Sequence, residues 1–133
     1  MLKVEHIGIA VHNLAEANAV FARLLGAEPY KTESVVSEGV RTAFFRIGET
    51  KIELLEATHP DSPVARFLGR KGEGMHHIAY EVADIGTEMQ RLRAEGFVLL
   101  NETPKRGADN KLVCFLHPKS TNGVLIELCQ EIR

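Results

Sequence analysis

One phrase occurs twice in this chain. Residues 4–11 read V-E-H-I-G-I-A-V and residues 75–82 read M-H-H-I-A-Y-E-V, which pairs His6 with His77 at a separation of 71 residues. That spacing is a little over half of a 133-residue chain, so the echo divides the sequence into two similar halves. The residues after each phrase strengthen the division. After the first comes H-N-L-A-E-A-N-A-V-F-A-R-L-L-G, residues 12–26, in which Asn13 can cap a helix with Glu16 three positions on. Leu14, Ala17, Val20, Phe21, Leu24 and Leu25 recur at helical spacing, and Gly26 suits a left-handed stop. After the second comes A-D-I-G-T-E-M-Q-R-L-R-A-E-G, residues 83–96, with Asp84 as cap, Ile85, Met89 and Leu92 as the apolar stripe, and Gly96 as stop.

Three strand-like segments then close each half. In the first they are E-P-Y-K-T-E-S-V-V, G-V-R-T-A-F-F-R-I and T-K-I-E-L-L-E-A, and in the second F-V-L-L-N-E-T, K-L-V-C-F-L-H-P and G-V-L-I-E-L-C-Q. The last strands match as I-E-L-L and I-E-L-C, pairing Glu53 with Glu127 at a separation of 74 residues. The pattern predicts an α+β fold of two tandem βαβββ modules, about 1–58 and 74–133, within one domain spanning 1–133. Residues 59–73 form the link, where Ser62 as cap and Pro63 at the first helical position predict a short helix.

The histidines and glutamates are the chemically informative repeats. Along a strand side chains alternate, so His6 shares a face with Val4 and Gly8, and His77 with Ala79. Glu53 and Glu127 interrupt apolar strands, where a carboxylate is costly unless it meets water, a cation or a metal. Taken singly, each histidine reads as a satisfied core residue and each glutamate as a solvent-facing one. Both recur at the same place in both halves, however. Halves packed about a pseudo-twofold axis would bring them into one cavity, as an imidazole and carboxylate set for a divalent ion. His76 is out of phase with His6, and His12, His59 and His117 sit near turns.

Composition narrows the remaining classes. Hydrophobic residues make up 44% and charged residues 26%, which is globular, and a net charge of −2 gives nucleic acid no basic footprint. No apolar run approaches the roughly 20 residues of a membrane span, and M-L-K-V-E-H has no signal-peptide character. Cys114 and Cys129 stand on apolar stretches without a C-x-x-C pair, so reduced, packed thiols and a cytoplasmic setting are expected.

The paired strand phrases resemble those of the vicinal oxygen chelate (glyoxalase-like) superfamily, in which two βαβββ modules form a cupped mixed β-sheet around a divalent metal. Within it the likeness is to the methylmalonyl-CoA epimerases. It rests on V-E-H-I-G-I-A-V, G-E-T-K-I-E-L-L-E, G-M-H-H-I-A-Y-E-V and, most specifically, H-P-K-S-T-N-G-V-L-I-E-L at 117–128. The resemblance implies His6, His77 and Glu127 as metal ligands, with Glu53 at the remaining position, where some relatives have glutamine. It implies one divalent ion, for which cobalt, manganese, nickel and zinc all suit His/Glu ligation. It also implies interconversion of (R)- and (S)-methylmalonyl-CoA in propionyl-CoA metabolism, by proton transfer at the carbon alpha to the thioester through a metal-stabilised enolate. Glu127 is the expected base on one face.

A family glutamate proposed for the opposite face aligns with Thr42, which cannot serve as a base, so that role falls to Glu53, Glu38 or metal-bound water, with Glu53 favoured by symmetry. Lys119 and Ser120 are candidates for substrate contact, with a plain hairpin turn as the competing reading. A CoA thioester substrate and a homodimer are the expected partners. The alternatives are a lactoylglutathione lyase-like isomerase, a ring-cleaving dioxygenase, or a non-catalytic binding protein of the same fold. The last would leave His6, Glu53, His77 and Glu127 without a purpose.

Overall fold

The computed structural model describes residues 1–133, with eight strands and three α-helices. Its contacts divide the chain into two compact units, Ile7–His76 and Met1–His6 together with His77–Arg133. Strand β1 (Lys3–Ala10) gives its first half to the second of these and its last half to the first.

In the unit Ile7–His76 the elements are α1 (Leu14–Leu25), β2 (Lys31–Val35), β3 (Val40–Ile47), β4 (Thr50–Ala57) and α2 (Pro63–Lys71). Its strands run in the order β2-β3-β4-β1, with β2–β3 and β3–β4 antiparallel. The two faces follow from period-2 alternation. Ala43, Phe45 and Leu54 pack with Leu14, Phe21 and Leu25 of α1. Val40 and Leu55 on the other face pack with Val64, Phe67 and Leu68 of α2. Both helices begin as the sequence predicts. Asn13 Oδ1 accepts from the Glu16 N–H at 2.9 Å, and Ser62 Oγ accepts from the Ala65 N–H at 3.1 Å with Pro63 in the first turn. Helix α1 ends on Gly26 in the left-handed conformation. Gly39 is obligatory for a second reason: besides its positive φ, a Cβ there would stand 2.5 Å from His59 Nε2. Val20 and Leu24, read as part of the α1 stripe, are exposed instead, because the apolar arc is wider than the face that β3 and β4 cover.

In the other unit lie β5 (Gly74–Glu81, from His77 on), α3 (Ile85–Ala94), β6 (Lys105–Arg106), β7 (Lys111–Leu116) and β8 (Ile126–Glu131). The order is β1-β5-β8-β7-β6, with β5–β8 parallel and β6–β7 and β7–β8 antiparallel. One face carries Cys114, Leu116 and Leu128 against Ile85, Met89 and Leu92 of α3. Ala79, Val113 and Cys129 are buried on the other, with Phe115 packed against them. The segment F-V-L-L-N-E-T does not form the expected strand. Leu100 N–H reaches Phe115 O and Leu99 bridges Leu116, but the Phe115 N–H is taken by the Asn101 side chain at 2.9 Å. Pro104 has no N–H to donate, and the ladder resumes only at Lys105.

The repeat persists in the hydrogen bonds. Val11 N–H donates to Leu55 O, and Val82 N–H to Cys129 O, both at 2.9 Å. Leu14 N–H donates to the Glu56 carboxylate at 2.8 Å, and Ile85 N–H to the Gln130 side chain at 2.7 Å. Asp84 caps α3 on the Thr87 N–H as Asn13 caps α1. Each partner differs from its counterpart by the offsets seen in the sequence, 71 for the donors and 74 for the strand that accepts.

Candidate metal centre

Alternation on β5 and β8 places His77 on the face of Ala79, and Glu127 on the face of Cys129. In register, Glu127 stands opposite Phe115 on β7 and beside Ala79 on β5. His6 enters from β1. The three side chains converge: His6 Nε2 and His77 Nε2 are 3.1 Å apart, and Glu127 Oε1 lies 3.2 Å from His77 Nε2 and 3.6 Å from His6 Nε2. All three residues are buried, at 5%, 5% and 6% exposure. The imidazoles meet edge to face, 87° apart, and Phe115 walls the His77 ring edge-on at 6.0 Å.

This triangle of donor atoms fits a divalent ion. Ligands about 2.1 Å from a tetrahedral ion are separated from one another by roughly 3.4 Å, and neighbouring ligands of an octahedral ion by roughly 3.0 Å. The three observed edges span the tetrahedral spacing, and the shortest comes close to the octahedral one. Two imidazole nitrogens and a carboxylate oxygen are also the donors that a borderline cation takes, and a three-residue set leaves positions open for substrate. Burial by itself would raise the Glu127 pKa, but the charge on His6 and the hydrogen bonds from both histidines outweigh it. The carboxyl is held well below the usual carboxylate range.

Two neighbours behind the triangle escape a reading of the repeat alone. Glu5, only 1% exposed, sets Oε1 3.0 Å from His6 Nδ1. Cys129 brings its sulfur within 4.8 Å of a His6 ring nitrogen and of the Glu5 carboxylate, and donates to Tyr80 O at 3.5 Å. Burial, reinforced by the Glu127 charge, pushes that thiol far up and keeps it protonated. The signal for Glu5 was a charge inside an apolar strand next to a candidate ligand. Comparison of the halves hid it, because His76 occupies the equivalent position.

Glu53 is buried on β4 in the unit Ile7–His76, opposite Phe44 on β3, just as Glu127 stands opposite Phe115. Thr42, on the same face of β3 as Phe44, is fully buried, and its hydroxyl makes no hydrogen bond. Lys119 is exposed on the 3-10 turn Pro118–Ser120. The Ser120 hydroxyl donates to His117 O at 2.9 Å and accepts from Val98 N–H at 3.3 Å, so it shapes its own loop. His12 and His59 are exposed, and His117 caps the 3-10 turn through the Lys119 N–H. Both cysteines are free thiols. They lie on opposite faces of their sheet, with Cys114 opposite Leu128 and Cys129 opposite Val113. No helix is long and apolar enough to cross a membrane.

Fold and donor triangle point to a class, and residues 5–115 match the Glyoxalase/Bleomycin resistance protein/Dioxygenase superfamily. The chain belongs to that superfamily, and its α+β βαβββ repeat is the superfamily's fold. Within it, the chain is 43% identical over 130 residues to the ethylmalonyl-CoA/methylmalonyl-CoA epimerase of Cereibacter sphaeroides, covering 96% of this chain and 97% of that one. It is 41% identical over 129 residues to the mitochondrial methylmalonyl-CoA epimerase of Homo sapiens, covering 96% of this chain and 73% of the relative. Among solved structures, a variant of the Streptomyces coelicolor methylmalonyl-CoA epimerase in complex with 2-nitronate-propionyl-CoA superposes with a TM-score of 0.96 at 36% identity. That match covers 100% of this chain and 99% of the other.

Proposed function

We propose that this chain is a divalent-metal-dependent epimerase that interconverts (R)- and (S)-methylmalonyl-CoA. The observation that carries the reading is the buried His6–His77–Glu127 triangle, in a chain about two-fifths identical to methylmalonyl-CoA epimerases over nearly its whole length. When bound, a divalent ion supplies Lewis-acid stabilisation of the charge that develops on the thioester oxygen. The chain's residues do the rest. Glu127, ionised at neutral pH, takes the proton from the carbon alpha to the thioester on one face. An acid on the opposite face returns a proton and inverts the centre.

Glu53 is the residue proposed for that second role and for the fourth ligand position. Its support is equivalence: it matches Glu127 in the repeat, is as deeply buried on its strand, and faces the corresponding phenylalanine. Thr42, a hydroxyl with no acidity near neutral pH, does not compete for it. Lys119, exposed beside the I-E-L strand, is the proposed cation for the carboxylate or phosphates of the CoA thioester. The two free thiols are in keeping with the reducing cytoplasm.

The test is proton NMR of methylmalonyl-CoA in D2O, with metal-free protein and after addition of Co(II). Deuterium should enter at the alpha carbon only with metal. Absence of exchange with Co(II) bound would overturn the epimerase reading and direct attention to glutathione thiohemiacetals. In the same assay, a Glu53→Gln variant that binds Co(II) and keeps full turnover would remove Glu53 from acid–base chemistry.

A homodimer is part of the proposal. Helix α1 leaves Val20 and Leu24 exposed one turn apart, at 49% and 70%, as an apolar strip for a second copy. Sedimentation at micromolar concentration should give about twice the monomer mass, and a single species of 14.7 kDa would exclude it.

A further inference from the structure

Glu5 is a buried carboxylate that the proton-transfer scheme does not use. Burying one is costly, so its place next to a proposed ligand calls for a purpose. A carboxylate accepts hydrogen bonds and does not donate them, and Glu5 Oε1 is 3.0 Å from His6 Nδ1. The Nδ1 atom must therefore carry the hydrogen. In neutral His6 this leaves Nε2 as a bare lone pair, and it is Nε2 that points at His77 and Glu127. The Cys129 thiol, within 4.8 Å of a His6 ring nitrogen, is directed to the Tyr80 carbonyl. The repeat does not supply the same carboxylate to the second half. At the position equivalent to Glu5 stands His76, whose ring packs edge-on against Phe67 at 5.0 Å.

We propose that Glu5 is a positioning residue that fixes the His6 ring in the Nδ1–H tautomer and aims Nε2 at the ion shared with His77 and Glu127. His6 is thereby backed by a carboxylate, which raises its basicity and holds its orientation. Outer partners of this kind are worth about 10–100-fold in metal affinity. The purpose of the contact rests on the metal reading above, whereas its geometry does not.

The variant that tests it is Glu5→Leu, which removes the acceptor and leaves an apolar side chain of similar size. Two readouts are needed: Co(II) affinity by competition with a chelator, and the His6 tautomer in metal-free protein, at a pH where the ring is neutral, by long-range 1H–15N correlation. The expected result is Co(II) binding weakened at least tenfold and a mixture of His6 tautomers. Affinity within threefold of the wild type, with a single Nδ1–H tautomer retained, would overturn the proposal. Should Glu5→Leu fail to fold, the same readouts on Glu5→Gln decide. A threefold or greater loss of affinity supports the role, and a smaller loss overturns it. Failure of the wild type to bind Co(II) would remove the metal reading, while the metal-free tautomer would still report whether Glu5 holds the ring.

Discussion

Replacing Glu127 with glutamine is expected to lower the rate of α-proton exchange into methylmalonyl-CoA by roughly a thousandfold, the scale of a lost general base. The substitution is nearly isosteric, so β8 keeps its register with β5 and β7 and the protein stays folded. What changes is charge. Glu127 Oε1 sits 3.2 Å and 3.6 Å from the two imidazoles, and an amide there neither balances a cation nor accepts a proton at neutral pH. Two effects are therefore superimposed, weaker metal binding and loss of the base, and they separate by experiment. Co(II) affinity is measured first by chelator competition, and exchange is then followed at saturating Co(II). Exchange restored to within tenfold by saturating metal would assign Glu127 to ligation alone and move the base elsewhere. Exchange that stays a thousandfold low at full occupancy places the proton on Glu127.

The repeat was readable because its determinants are local. Caps, glycine stops and period-2 strands are written in adjacent residues, and Asn13, Asp84, Ser62 and Gly26 all act where the sequence puts them. The donor triangle was readable for a different reason. Duplication turned two ambiguous histidines into one joint signal, and the structure brings His6, His77 and Glu127 together. What the sequence hid depends on partners distant along the chain. F-V-L-L-N-E-T has strand composition, yet a ladder needs N–H and C=O groups free on the neighbour, and Asn101 uses its side chain on Phe115 instead. The stripe on α1 has helical period, but which apolar residues are covered depends on the width of the sheet beneath. Leu24 is left 70% exposed while Leu25 packs. Glu5 was hidden by the comparison that revealed its neighbour, since a residue that breaks the repeat cannot be found by looking for it.

Truncating Leu128 to alanine is expected to cost about 3 kcal/mol or more of stability, the range for buried leucines that leave a cavity. Leu128 is fully buried, and it packs with Val82, Ile85, Met89, Leu92, Cys114 and Leu116 between β8 and α3. For a chain of this length such a loss lowers the melting temperature by roughly 10 °C. Alternation makes the prediction sharper, because Glu127 and Leu128 are neighbours in sequence that point to opposite faces. The leucine face contains no proposed ligand. Leu128→Ala should therefore melt early while retaining Co(II) affinity and exchange rate per folded molecule within about twofold at 10 °C. Glu127→Gln should show the other signature, a rate lost at saturating Co(II) far beyond what any shift in its melt would explain. Calorimetry and the D2O assay on both variants test the pair together. If Leu128→Ala lost metal binding while still folded, the core under α3 and the metal face would be mechanically coupled through β8, and stability and chemistry could not be assigned to separate sides of that strand.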